Sequence, residues 1–394
     1  MTDVAAPARA PHRRRIGSIV LQALLVAIVG GLAYGAIVNA AQNLARAHIP
    51  TGFGFWNLTA GFDISQTLIA YSASTSTFGR AFLVGLLNTL LVAGLGIVLA
   101  TVLGFTVGLS RLSSNWLVAR LAAGYVELIR NVPLLLQILF WYNAVLKSLP
   151  ELRDSIALPG GAILNNRGLF LPRPELAPGF VAVTAAALLG IGATIALHVA
   201  ARRRQERAGV PMRICWWALG LLCGLPLAAF VLAGFPLAFS FPAMGRFNVG
   251  GGIEILPEFA ALLLALSIYT AAFIAEVVRA GVLAVPHGQT EAAQALGLRS
   301  GTTLRRIVVP QAMRVIVPPL TSQYLNLIKN SSLAVAIGYP DLVQVFAGSV
   351  LNITGQAVQV VAITMGVYLA ISLFTSLLMQ LYARAIGITE QRHR

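Results

Sequence analysis

Acidic residues are scarce in this chain: 13 Asp and Glu stand against 28 Lys and Arg in 394 residues, a formal charge of +15. Charge of either sign is thin, at 10% of residues, where soluble domains average about 25%. That balance excludes an ordinary soluble globular protein. Lysine is nearly absent. Lys147 follows Leu146 and Lys329 follows Ile328, so neither belongs to the Gly-Lys-Ser/Thr of a phosphate-cradling loop, and the chain cannot bind ATP in that way. Cys215 and Cys223 lie eight residues apart in one apolar run, about 12 Å along a helix axis and too far for a disulfide. The five His are scattered with no metal-ligand spacing, so a metal site is not expected. A proton relay needs acids or histidines well inside a span. Here His198 lies near the end of one apolar run and Glu258 at the start of another. No Ser-His-Asp or zinc-type constellation accompanies them.

What the chain has instead is hydrophobic residues, 57% of the total, with a mean hydropathy of +0.80. This predicts an all-α polytopic membrane protein. Eight apolar runs reach spanning length: about 16–41, 81–110, 119–147, 179–200, 214–239, 257–281, 315–339 and 358–383. The first follows Arg13-Arg14-Arg15 like a signal peptide, but it exceeds the roughly 7–15 apolar residues of a cleaved signal, so a retained span is expected. Segments 1–15, 111–120, 201–213, 279–314 and 384–394 hold 19 of the 28 basic residues, and the alternate segments hold six. The asymmetry places both termini in the cytoplasm. Basic residues confined to short loops anchor a membrane protein and predict no nucleic-acid partner. On the outer side, 50–80 is rich in Gly, Ser, Thr and aromatics, and 148–178 carries five prolines, as an ordered external loop would.

Within the spans, Gly104 and Gly108 form a GxxxG pair suited to close helix packing. Glu127/Arg130 and Glu276/Arg279 are i,i+3 pairs whose side chains can meet on one helix face. They are either neutralised pairs near the cytoplasmic interface or contacts along a solute pathway. Lys329-Asn330-Ser331-Ser332 interrupts another apolar run. It reads either as a polar kink or as pathway donors at a break in a span.

Segment 282–318 departs from the rest. Val285-Pro286 breaks the chain, Thr290 is a candidate N-cap with Glu291 in the first turn, and Ala292, Ala293 and Ala295 make a thin helix. Gly297 suits a left-handed helix end. A second short helix is expected over about 302–308, with Pro310 interrupting or redirecting it. Physical chemistry gives a cytoplasmic helix–turn–helix elbow with a small-residue face. It leaves open whether that face rests on lipid headgroups or docks a protein.

Glu291-Ala292-Ala293, then Gly297, then Ile307-Val308-Val309-Pro310 resembles the EAA loop of ABC importer permeases, with Val309 where that family usually has Leu. ELIRNVPLLLQ (127–137), YTAAFIAEVVRAG (269–281) and KNSSLAVAIG (329–338) look like segments of the polar amino-acid uptake family. The additional first span, the segment after it and two extra spans between 150 and 250 are similar to the larger permease type of general L-amino-acid importers. The resemblance implies a type I importer permease core with extra helices. Residues 1–80 would form a tail, an extra span and a periplasmic segment; 81–147 and 257–386 the two parts of the core; 148–256 inserted loops and two spans; 387–394 a tail. It implies a Gram-negative inner-membrane location and L-amino acids as solutes, another polar solute or a stand-alone carrier being the alternatives. The implied partners are a second homologous permease in a heterodimer, a cytoplasmic ATPase dimer that binds ATP and Mg, a periplasmic amino-acid-binding protein and membrane lipid. No cofactor would be held by this chain and no catalysis performed by it. The coupling residues implied are Glu291, Ala292, Ala293, Gly297, Ile307 and Pro310. The pathway candidates are Lys329, Asn330, Ser331, Ser332, Glu127, Arg130, Glu276 and Arg279.

Overall fold

Apolar runs that must satisfy every backbone N–H and C=O without water fold as helices. Helices dominate the computed structural model, which describes residues 13–46, 52–209, 214–245 and 248–385. The long ones are α1 (Arg13–Arg46), α2 (Phe78–Ser110), α3 (Trp116–Asn131), α5 (Phe180–Ala208), α8 (Pro257–Leu283), α11 (Val309–Asn330) and α13 (Ala357–Ala385). The short ones are α4 (Leu134–Leu139), α6 (Cys215–Leu219), α7 (Leu225–Leu232), α9 (His287–Ala295), α10 (Ser300–Thr303) and α12 (Leu351–Thr354). The expected tails, 1–12 and 387–394, lie outside the described residues.

Among the described residues, five helical stretches are long and apolar enough to cross a membrane: Phe78–Ser110, Phe180–Arg207, Cys215–Leu232, Pro257–Leu283 and Ala357–Ala385. A sixth is the bent pair Trp116–Asn131 and Leu134–Leu146. Of the eight expected runs, the first lies within the helix α1, whose stretch Val20–Ala36 is apolar. The seventh becomes α11, which contains Pro318, Pro319 and Lys329 and ends at Asn330 rather than 339. A tight 3-10 turn over Ser331–Ile337 follows it.

The bent pair turns by 104°. Pro133 has no N–H to offer Ile129 O, and Val132 before it is extended (φ −101°, ψ 127°). Gln137 Nε2 donates to Ile129 O and Val132 O at 2.9 Å each, satisfying the carbonyls that the break releases.

Two compact units divide the chain: Met1–Ala93, Tyr324–Val335 and Pro340–Arg394 form one, Gly94–Gln323 with Ala336–Tyr339 the other. The first unit is built around aromatics from the segment expected to lie outside. Phe55 and Phe78 are buried among Val345, Phe346 and Val360, and Trp56 packs its ring 5.1 Å from that of Phe82. Asn88 on α2 donates through Nδ2 to Gln66 O at 2.9 Å and Pro340 O at 2.8 Å. Next to it, Thr89 Oγ1 accepts from Leu342 N at 3.0 Å.

Asp341, buried between these hydrogen bonds, accepts from Gln344 N at 2.8 Å and from the Tyr368 hydroxyl at 3.2 Å. Burial pushes its carboxyl up to about 7. A folded-state value above the unfolded one means that the native chain binds the extra proton, so stability falls as pH rises from about 4 to 7. We expect a lower melting temperature at pH 8 than at pH 6 in detergent, and Asp341→Asn should flatten that difference. An unchanged slope in the variant would assign the pH dependence to another group.

In the second unit α3, α4 and the π-helical turn Phe140–Leu146 pack on α8. Tyr125 donates to Ile268 O at 2.6 Å and Tyr142 to Glu258 Oε1 at 2.8 Å. Gly104 and Gly108 let α2 lie directly against α8. A Cβ at Gly104 would sit 2.6 Å from Ile274 Cβ, and one at Gly108 would sit 2.7 Å from Ala275 O. Neither contact can be relieved by a flexible side chain, so overpacking here should cost about 1–3 kcal/mol or more. Gly108→Leu is therefore expected to lose the monodisperse peak in size-exclusion chromatography. Gly94→Ala, with nothing within 4 Å of its added Cβ, should keep it.

The inserted outer segments hold short antiparallel strands that the sequence reading gave as loops. One sheet runs β1 (Ile156–Leu158), β2 (Ala162–Asn165), β3 (Gly168–Leu171) and β8 (Ile253–Ile255). Two ribbons pair β4 (Arg173–Leu176) with β5 (Leu237–Ser240), and β6 (Ala243–Met244) with β7 (Val249–Gly250). Strands this short, broken by Gly and Pro, leave no readable two-residue period. Their pairing joins residues more than 80 positions apart, such as Leu169 with Ile255.

Candidate functional site

α9 begins at His287, after Pro286 in an extended conformation (φ −59°, ψ 134°). This is three residues earlier than Thr290, the expected N-cap, so Glu291 falls in the second turn and not the first. Pro at the residue before a helix stops it from running backward, which explains the shift. At the other end Leu298 N donates to Ala293 O at 3.0 Å and Gly297 N to Gln294 O at 2.9 Å. These are the two bonds of a Schellman closure, with Gly297 left-handed at φ +71°.

The return helix starts at Ser300 instead of 302, passes through α10 and a π-helical turn over Leu304–Val308, and continues into α11. Pro310 redirects nothing here. It lies in the first turn of α11, just past the π turn in which Val309 N reaches back five residues to Leu304 O. Widening the helix at that place accommodates a residue without an N–H.

The elbow thus formed has two faces. Ala293 is 1% exposed, spent on the elbow's own packing and not on an outer surface. Glu291, Ala292, Gln294 and Gly297 are exposed. Glu291 Oε1 lies 2.9 Å from His287 Nδ1, an i,i+4 contact across one turn of α9. Thr290, Gln294, Ser300, Thr303, Leu304 and Val308 line a cleft of about 360 Å³ between α9 and the return helix. Ile307 is half-buried, while Arg299, Arg305 and Arg306 are exposed. Glu291 is the sole acid between 282 and 314.

A second cluster centres on Glu276 of α8. Arg279 Nη2 lies 2.7 Å from Glu276 Oε1, Arg130 Nη1 3.9 Å from Oε2, and Arg111 at the end of α2 also bonds Oε2. The expected Glu276–Arg279 pair is present, but Glu127–Arg130 is not. Arg130 instead reaches Glu276 and covers the Phe273 ring at 5.1 Å, leaving Glu127 exposed. A carboxylate shared with two other guanidiniums and an aromatic face offers more than a lone exposed acid. Arg111 lies 165 residues from Glu276, so no local spacing marks it.

The polar stretch after α11 closes a helix end. Ser331 Oγ donates to Ile328 O and Ser332 Oγ to Lys329 O, both at 2.7 Å. Ser331 is buried, Lys329 exposed and Asn330 half-buried.

Comparison with known proteins matches residues 94–388 to the family described as binding-protein-dependent transport system inner membrane component. The chain is 51% identical to the general L-amino acid transport system permease protein AapQ of Rhizobium johnstonii, covering 95% of this chain and 93% of that protein. It is 52% identical to the putative amino-acid ABC transporter permease protein YhdX of Escherichia coli, covering 94% of each. It is 40% identical to the glutamate/glutamine/aspartate/asparagine transport system permease protein BztB of Rhodobacter capsulatus, covering 96% and 95%.

Proposed function

Because this chain belongs to the family of inner-membrane components of binding-protein-dependent transport systems, we propose that it is the permease subunit of an ATP-driven importer carrying L-amino acids into the cytoplasm. The observation that carries this reading is the elbow, an exposed α9 closed by a left-handed Gly297, in a chain without an ATP-binding loop of its own. The names of full-length relatives support the solute class.

In this reading the protein sits in a Gram-negative inner membrane with both termini and the elbow in the cytoplasm. It pairs with a second, homologous permease. A cytoplasmic ATPase dimer holds ATP and Mg, and a periplasmic binding protein delivers the amino acid. The elbow seats on the ATPase through Glu291, Ala292 and the arginines beside them, while Ala293 and Gly297 hold its shape. Closure of the ATPase dimer pulls α9, and the continuous run from Ser300 into α11 transmits the displacement to the spans. Energy passes only if the elbow's contacts differ between the two ATPase states.

For the pathway, Ser331 and Ser332 keep the helix end closed, and Lys329 and Asn330 are the groups of that stretch placed to meet a zwitterionic solute. Asn330→Ala should raise the uptake KM severalfold at matched protein levels. Ser331→Ala should lower protein level, with a cost of about 1 kcal/mol for a lost buried hydrogen bond, and leave KM unchanged. The opposite pattern would exchange these roles. The function itself is tested by deleting the chain from its own cells and measuring uptake of labelled L-amino acids. Loss of uptake across several amino acids, restored by the intact chain, is the expected result. Unaltered amino-acid uptake would overturn the assignment.

A further inference from the structure

The cytoplasmic end of α5 carries a run of arginines that the transport reading does not use. Arg202 is neutralised by Glu206, one turn on at 3.3 Å. Glu206 is the only acid between 201 and 209. Arg203, Arg204 and Arg207 have no ion-pair partner among the described residues, and all three are exposed. They line one cavity of about 610 Å³ together with Ala196, Val199 and Ala200. The spacing of these six, three to four residues apart along the helix, places them on a single face. That face is apolar toward the membrane interior and cationic toward the cytoplasm. The apolar half is exposed in this chain, and within a membrane such a surface is covered by lipid.

We propose that this face of α5 is a binding site for an anionic phospholipid. The Ala196–Val199–Ala200 strip holds an acyl chain, and Arg203, Arg204 and Arg207 hold the headgroup phosphate. The match is one of shape and charge. Small side chains leave room beside the helix, and three guanidiniums without an ion-pair partner among the described residues line the same cavity at the depth where a span meets the headgroups. Arginine forks pair with phosphate oxygens through two parallel N–H bonds. A soluble anion would use the guanidiniums but gain nothing from the strip beneath them. The inference rests on the membrane placement of α5, whose Phe180–Arg207 stretch is long and apolar enough to span, and not on the identity of the solute.

The test is native mass spectrometry of the full-length chain in detergent, titrated with phosphatidylglycerol, cardiolipin, phosphatidylcholine or inorganic phosphate. The wild type should retain the two anionic lipids roughly tenfold better than phosphatidylcholine. The Arg203→Gln/Arg204→Gln/Arg207→Gln variant should fall to the phosphatidylcholine level, and Arg202→Gln should keep wild-type retention. If the triple variant does not purify, Arg204→Gln alone should lose about half or more of the preference. Equal retention of anionic and zwitterionic lipid in the wild type would overturn the proposal. So would equal loss in Arg202→Gln, wild-type retention in the arginine variants, or displacement of lipid by millimolar phosphate.

Discussion

Gly297→Val is expected to abolish uptake, while Gly297→Asn should keep most of it. Gly297 closes α9 at φ +71°, where a β-branched residue is strained and glycine is not. A Cβ at this position meets nothing within 4 Å, so the penalty comes from the backbone and not from a clash. It amounts to about 1–2 kcal/mol for an ordinary residue. Asparagine visits the left-handed region more readily than other side chains, which makes it the rescue. The strain acts on the two bonds from Gly297 N and Leu298 N that close the end of α9. Opening them frees Ala293 from the elbow's interior and re-aims Glu291 and Ala292. The spans do not depend on these bonds, so membrane insertion, and assembly with the second permease proposed above, should persist. Uptake lost together with assembly would point to folding rather than to coupling.

Glu276→Gln is the second large effect, and it acts on stability. The carboxylate of Glu276 is shared by Arg111, Arg130 and Arg279. The amide keeps the size and loses the charge, leaving three guanidiniums facing one another. Breaking a fully buried pair from one side costs about 3–5 kcal/mol. The Glu276 side chain is 29% exposed, so water screens part of that, and about 2 kcal/mol is expected. For a unit of this size the melting temperature should fall by roughly 4–8 °C. Adding Arg111→Gln should restore part of the loss, because it removes one of the repelling charges. A double variant less stable than either single one would contradict the shared-carboxylate account.

Legibility followed the range of the interaction. Gly297, Glu291 and the elbow around them could be read because a helix end, its closing glycine and its flanking prolines all lie between Pro286 and Pro310. Gly104 and Gly108 could be read as a packing face, but their partners Ile274 and Ala275 could not. The bend at Pro133 was open to a rule about residues before proline, yet its support by Gln137 depended on knowing which carbonyls were released. Arg111 with Glu276, and the outer sheet that joins β3 to β8, are products of long-range packing. Neither α9's start at His287 nor the buried place of Ala293 was given by composition. Both follow from how Pro286 and the return helix constrain a short helix. The relative weakness of α11 as an apolar run has the same origin, since its polar side chains and its prolines dilute a pattern that hydropathy alone extends to 339.

The most direct test of coupling through the elbow is a paired measurement of amino-acid uptake and ATP hydrolysis. The complete transporter would be placed in liposomes with ATP inside and amino-acid-loaded binding protein outside. With the wild-type chain, adding loaded binding protein should raise hydrolysis and uptake together. With Gly297→Val, uptake should be absent and hydrolysis should no longer respond to loaded binding protein, while Gly297→Asn restores both. Wild-type uptake and stimulation in Gly297→Val would contradict the account.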